Sequence, residues 1–328
     1  MKILSLLPPL LFVLAMTSIG WAQRVPSAAS QKRPKPAPAK LEDFERDLGP
    51  LKIKTASFTV VLHMKRVAGV SAPDPDFQET VARMEIRDEA GKVHYEKSFP
   101  YQVRGDRFEE TIGISARLLE GTQGTGLLVS YGWLPSTPLG GGSDQVFGMF
   151  NDKLVPFGKP LSTEGGLAEP APRENVVKTT TEPGLQGDVL NFRIWTGNVF
   201  VIVPVRVDWM MGQVTPARRC YKMTPRGRQS RCRFRVEAER VPREEELTFV
   251  RLFQEPEEGM GNPAHVVVKR NSQVEVLEAE GELQWQEDAE GIGLSLGDDL
   301  WLKVRIDRKE GWIHTQEDFS AIGLPQAG

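Results

Sequence analysis

Short runs in which apolar and polar residues alternate, separated by glycine- and proline-bearing connections, constrain this chain more than any other feature. A period of two is the signature of a strand with one buried face. Val81-Ala-Arg-Met-Glu-Ile-Arg87 and Lys92-Val-His-Tyr-Glu-Lys-Ser-Phe99 flank the short link Asp88-Glu-Ala-Gly91, which predicts a β-hairpin. Ala56-Ser-Phe-Thr-Val-Val-Leu-His63 precedes it, and further strands are predicted over residues 108–115, 126–133 and 145–150. Strands at this spacing, with Gly- and Pro-rich connections such as residues 135–142, predict an all-β chain in which residues 50–160 form a sandwich-like domain. The 31 glycines and 24 prolines belong to that class, since tight turns between short strands use both.

The chain begins differently. Met1-Lys2 is cationic, residues 3–16 are an apolar run interrupted by Pro8-Pro9, and Gly20-Trp21-Ala22 sets small residues before Gln23. That order predicts a cleaved signal peptide over residues 1–22 and a secreted or periplasmic destination; the rival is an uncleaved anchor of borderline length. Residues 23–49 follow as a Pro/Lys-rich linker of polyproline II character around Arg33-Pro-Lys-Pro-Ala-Pro-Ala-Lys40, ending in a short helix over residues 41–48. No other stretch is apolar for long enough to span a membrane.

A length of 328 residues accommodates two or three domains. Residues 161–187 lack periodicity and are read as a linker, and residues 188–243 as a second β section. There Asn191-Phe-Arg-Ile-Trp195 and residues 199–209 form a predicted hairpin, with Pro204 marking an edge or a bulge. Cys220 and Cys232 are the only two cysteines. In an oxidising compartment they are expected to close a small loop through Pro225, Arg226 and Gly227, a constraint worth about 3 kcal/mol. Arg218, Arg219, Arg226, Arg228 and Arg231 lie around this loop without an intervening acid and form a candidate anion-binding patch. From Glu244 onward acids outnumber bases by more than two to one, so the C-terminal section is an internal alternative to an external anion.

Residues 246–324 carry a further pattern. Leu247-Thr-Phe-Val-Arg-Leu252, residues 266–277, Leu300-Trp-Leu-Lys-Val-Arg-Ile306, the turn Asp307-Arg-Lys309 and Glu310-Gly-Trp-Ile-His314 follow one another as strands and turns. In this order, and with Gly311-Trp312 in the return strand, the segment resembles bacterial SH3 (SH3b) domains. The resemblance implies a small SH3-like barrel within residues 244–328, with residues 315–324 as its last turn and strand. Two departures stand out: residues 279–297 are much longer than the usual loop, and the first strand lacks the typical Gly and Ser-Pro residues. Independently, alternation assigns Leu302, Val304 and Ile306 to the core and Trp301, Lys303 and Arg305 to the opposite face. Gly311 beside Trp312 suits a close backbone approach, with Trp312 in the core.

Known SH3b domains mostly bind wall peptides or glycans, or act as interaction modules. On that resemblance Trp285 and Trp301, with Asp299 and Arg305, are the candidate ligand-binding residues; the alternative is that both rings pack the long loop onto the barrel. Catalytic signatures are absent: there is no H-E-x-x-H, no G-x-S-x-G and no phosphate-binding glycine loop. His63 and His94 fall in strands as satisfied or surface residues, and no cofactor, metal or nucleic acid is implied. A formal net charge of -3 selects no partner. The expectation is therefore an exported, non-enzymatic envelope protein that binds a cell-wall peptide or glycan, or another envelope protein. A purely structural protein with its SH3-like module docked on its own neighbour is the alternative, and a hydrolase the third reading.

Overall fold

The computed structural model describes residues 40–68, 77–134, 142–163, 165–168, 175–181, 187–217, 222–224, 227–229, 231–238, 247–257 and 262–325. The expected signal peptide, the linker up to residue 39, Arg218, Arg219, Cys220 and Arg226 lie outside them, and of Arg228 only the backbone is described. The first strands are β1 (Leu41–Ile53), β2 (Ala56–Val67), β3 (Glu79–Asp88), β4 (Val93–Ser98) and the short pair β5 (Val103–Arg104) and β6 (Arg107–Phe108). There follow β7 (Thr111–Glu120), β8 (Thr125–Leu134), β9 (Gly142–Phe150), β10 (Lys153–Pro156), β11 (Leu161–Thr163) and β12 (Val176–Lys178). Next come β13 (Asp188–Trp195), β14 (Phe200–Asp208), β15 (Gln213–Pro216), β16 (Lys222–Thr224), β17 (Gly227–Gln229) and β18 (Cys232–Glu237). The last part holds β19 (Leu247–Leu252), β20 (Ala264–Lys269), β21 (Val274–Gly281), β22 (Leu283–Glu287), β23 (Ile292–Leu296), β24 (Trp301–Ile306), β25 (Lys309–Ile313) and the helix α1 (Gln316–Ala321).

The fold is all-β. Most strands join three sheets: a four-stranded β1-β2-β3-β4 meander, an eight-stranded β12-β7-β8-β9-β11-β23-β22 sheet with β10 on β9, and a seven-stranded β13-β14-β18-β21-β24-β25 sheet with β15 on β14. Apolar packing stacks them as three layers. Val60, Leu62, Met84 and Ile86 of the first sheet share a core with Leu127, Val129 and Phe147 of the second. Leu128, Val146 and Leu161, from the other face of the second sheet, share a core with Phe192, Val201, Val203 and Val205 of the third. The middle sheet is thus buried on both faces, which explains why Leu127-Leu-Val129 is a continuous apolar run instead of an alternating one. Fully buried rings such as Phe147 and Phe192 each contribute about 1.5–3 kcal/mol by leaving water.

Several sequence expectations change here. Residues 41–48 are strand, not helix: β1 pairs with β2 from Leu41↔Val67 to Ile53↔Ala56, with one irregularity between Asp47 and Pro50. As a strand the segment packs Phe44, Leu48 and Leu51 against the first core and pairs Lys65 with Asp43 at 2.6 Å and Arg46 with Glu79 at 2.9 Å. The expected linker over residues 161–187 contains β11 and β12, and β11 lies between β9 and β23 in the middle sheet.

Hydrogen bonding also runs across the expected divisions. Cys232, Arg233 and Phe234 of β18 pair with Gly281, Glu280 and Ala279 of β21, joining residues 188–243 to the C-terminal section. The long segment over residues 279–297 supplies the β22–β23 hairpin, whose Ile292 and Gly293 pair with Leu161 and Ser162. Among the described residues the strands do not close into a barrel. Among the described residues β19 and β20 pair with each other alone, and Phe253 bridges to Trp312 through two backbone hydrogen bonds of 2.9 and 2.8 Å. Residues 266–277, expected as the second strand with its approach, are divided between β20 and β21. Where a last strand was expected, Thr315 caps α1, and buried Asp318 accepts the Arg251 backbone N–H at 3.1 Å. Gly311 does mark a close approach: a Cβ there would lie 2.8 Å from the Leu252 Cβ and 3.0 Å from the Phe253 carbonyl oxygen.

Candidate ligand groove

The expected ligand residues do not converge. Trp301, only 2% exposed, stacks on His314 with ring centroids 4.3 Å apart and meets Phe253 edge-on at 5.3 Å. Its indole N–H donates to Asp299 Oδ1 at 3.0 Å, so the indole is closed to an external ligand by its own neighbours. Alternation put Trp301 beside Lys303 and Arg305 but carried no information about Phe253 and His314, which cover that end of β24. Arg305 does face solvent, held between Glu275 and Glu310 at 2.6 Å each. Trp312 is core, as the pattern implied, with the Arg233 guanidinium 5.4 Å above its ring.

Of the arginine patch, Arg231 is the member whose side chain is described, and it is not held ready for an external anion. Its side chain is 8% exposed and pairs with Asp299 and, at 3.3 Å, with Glu280, whose side chain is 4% exposed. Arg233, directly opposite Glu280 in the β18–β21 ladder, adds a second contact at 3.1 Å. The internal alternative, acids of the C-terminal section, holds for these two cations. Cys232 is buried at the start of β18 and is not free; its expected partner lies outside the described residues.

Trp285, another of the four candidates, lines a cavity. It is half-buried on β22, at one wall of a groove of about 960 Å³ where the edge of the middle sheet meets β15 of the third. That volume is on the scale of known ligand pockets. Val214 and Ile292, both buried, give it apolar lining, while Lys159, Arg206, Gln213, Thr215 and Glu287 bring polar groups. Lys159 comes from the β10–β11 connection and pairs with Glu287 at 3.1 Å. Arg206 donates to Asp208 at 3.1 Å, and its Nε is buried with no acceptor among the described residues. The hairpin tip beside the groove is stiff, because Asp288 accepts the backbone N–H groups of Glu290 at 2.8 Å and Gly291 at 2.9 Å. The Gly291 and Glu290 donors hold the Asp288 carboxyl below its usual range.

The groove therefore offers an indole, an amide, a hydroxyl and two cations against one carboxylate, a set suited to holding a polar extended ligand. Paired carboxylates or a nucleophile with its base are not among its described lining residues. Elsewhere His63 lies 3.2 Å from both Glu45 and Glu85, and His94 lies 2.9 Å from Asp88. Among the described residues no group of three or more His, Cys, Asp or Glu is arranged to hold a metal ion, and no helix is long and apolar enough to cross a membrane. Lys159, Arg206, Gln213 and Thr215 carry no local signal in the sequence, because they come near Trp285 only through the packing of one sheet on another. Compared with family models, curated proteins and solved structures, the chain matches none of them.

Proposed function

We propose that this chain is an exported, non-enzymatic binding protein of the bacterial cell envelope, which holds a wall fragment or a segment of a partner protein in the groove beside Trp285. The observation that carries this reading is the half-buried indole in a groove of ligand size, among cations and amide and hydroxyl groups. The SH3-like relationship of residues 246–324 is part of the proposal, supported by strands β19, β20, β21, β24 and β25 following in the expected order. Retention of the mature chain on purified peptidoglycan is expected to fall about tenfold in Trp285→Ala, the loss of one aromatic contact worth roughly 1–1.5 kcal/mol. Equal retention by a folded Trp285→Ala chain would remove the groove from wall binding.

Export and the disulfide belong to the same reading. The intact mass of the chain purified from the envelope is expected to begin at Gln23 and to rise by two hydrogens on reduction. A chain retaining Met1 and unchanged by reduction would count against both. A structural role for the C-terminal section is the second reading, favoured by the burial of Trp301 and by the Arg231, Glu280 and Asp299 contact.

A further inference from the structure

We infer that Arg104, Gly105 and Asp106, at the tip of the β5–β6 hairpin, dock on a cation-dependent receptor of another cell. Such a receptor takes a ligand carboxylate onto a divalent cation held in its own site and pairs a ligand arginine with its own acids. The surface is separate from the groove beside Trp285, and the inference rests on the proposed export, which brings the tip to other cells, not on the groove. The turn is built by its glycine. Val103 pairs with Phe108 and Arg104 with Arg107, so Gly105 and Asp106 are the two loop residues. Gly105 has a φ of +69° and Asp106 is not in the left-handed region, the pattern of a type II′ hairpin turn. A Cβ at Gly105 would meet nothing within 4 Å, so conformation, not space, asks for glycine there. The base of the hairpin is anchored: Phe108 is fully buried with Tyr101 edge-on at 5.8 Å, and Glu109 N–H donates to the Gln102 carbonyl at 2.9 Å. A tip held in one shape before contact lowers the entropy cost of binding.

The charged groups of the tip are available. Asp106 is exposed and has no hydrogen bond or ion pair among the described residues. Its neighbour Arg107 lies instead over the Phe77 ring, 5.9 Å from the centroid. Arg104, with its side chain 84% exposed, meets Glu109 at 3.9 Å, the outer limit of an ion pair, and Glu109 is itself 41% exposed. A contact of that kind in water is weak and yields to a better-shaped acid. The chemistry then selects the partner. Carboxylate oxygen is the donor that hard divalent cations prefer, but such ions need about six to eight oxygen ligands, so one aspartate cannot hold a metal ion alone. The cation must come with the rest of its ligands, in a partner that leaves one position open. The guanidinium fork of Arg104 matches a carboxylate of the same partner. The cation and the carboxylate cancel in net charge, so recognition lies in their spacing across Gly105 and not in bulk attraction.

The test coats plates with the full mature chain and counts attached fibroblasts, with manganese or with EDTA. Cells are expected to attach with manganese and to detach in EDTA. Asp106→Glu keeps the charge and displaces the carboxylate by one methylene, so attachment should fall about tenfold, the loss of one charge-assisted contact. Arg104→Gln should lower it likewise, whereas Glu109→Gln, which releases Arg104, should hold or raise it. In a second measurement the soluble peptide Gly-Arg-Gly-Asp-Ser should compete with the wild-type chain and Gly-Arg-Gly-Glu-Ser should not. This leaves the protein untouched, so it decides even where a variant misfolds. Attachment that survives EDTA, equal attachment to the wild type and a folded Asp106→Glu chain, or no attachment at all overturns the inference. Retention of Asp106→Glu on peptidoglycan should equal that of the wild type. Normal retention without cell attachment therefore removes the receptor and leaves the groove reading standing, and attachment without retention does the reverse.

Discussion

Replacing Asp188 with alanine is expected to destabilise the fold by about 3–5 kcal/mol, among the largest effects a single substitution produces. The carboxylate is fully buried at the start of β13 and accepts four hydrogen bonds. They come from the Thr122 backbone N–H at 2.8 Å, the Thr122 hydroxyl at 2.6 Å, the Gln123 backbone N–H at 2.9 Å and the Trp209 indole at 2.6 Å. One side chain thereby ties the β7–β8 turn of the middle sheet to the β14–β15 turn of the third. Space around it is already full: a Cβ at Gly121 would come 2.2 Å from Asp188 Oδ2, and one at Gly124 would come 2.3 Å from Trp209 Cδ2. Alanine would strand buried donors, while asparagine keeps the shape and turns an amide against them, so Asp188→Asn should cost about 2 kcal/mol.

The pH dependence follows with its sign. Burial pushes the Asp188 carboxyl up, but the Thr122, Gln123 and Trp209 donors outweigh it and leave it below its usual value. A depressed folded value means that the contribution is complete above the unfolded value of about 3.9 and is lost as pH falls through the folded one. Urea unfolding between pH 7 and pH 2 should therefore show the wild type losing more stability below about pH 4 than Asp188→Asn does. Identical pH slopes in the two chains would mean that the carboxylate is not the clamp.

Nothing in the sequence singled out Asp188, and the reason is general to this fold. Alternation reports whether a residue has an inside, so the hairpin over residues 81–99 and the core positions Leu302, Val304 and Ile306 were legible. It does not report which strand lies alongside. β11 meets β23 from more than a hundred positions away, and no local signal in Leu161-Ser-Thr163 anticipates that neighbour. β1 misled in the opposite direction: Leu41-Glu-Asp-Phe-Glu-Arg-Asp-Leu48 has helix-forming composition, but its charges find partners on β2 and β3. Trp301 and Trp285 show the same limit at the candidate site. Both are indoles in alternating runs, yet one is sealed by Phe253 and His314 while the other lines a groove whose far wall is Arg206 and Thr215. What a ring faces is decided by sheet order, which is a long-range property.

Removing either side of the Arg231 and Glu280 pair is expected to cost about 3–5 kcal/mol, and removing both together distinctly less than the sum. The pair is almost dry, with side chains 8% and 4% exposed, and it sits where β18 meets β21, the seam between the basic stretch and the acidic C-terminal section. Glu280→Ala leaves Arg231 with Asp299, which is 62% exposed, as its remaining acid partner. Arg233 loses its 3.1 Å contact at the same time. Arg231→Met leaves Glu280 buried without its drier cation, with the half-exposed Arg233 still beside it. Because two desolvated ions attract each other only enough to offset the cost of leaving water, an apolar pair of similar volume, Arg231→Met with Glu280→Met, should recover much of either single loss. Chemical denaturation of the four chains checks this as a double-mutant cycle. A coupling near zero would mean that solvent screens the pair, and that β18 and β21 are held by their ladder and by Phe234 and Ala279 instead. A large coupling would make the seam a charge-locked junction, placing part of the basic stretch in the interior of the fold, where it joins the C-terminal section to the rest of the third sheet.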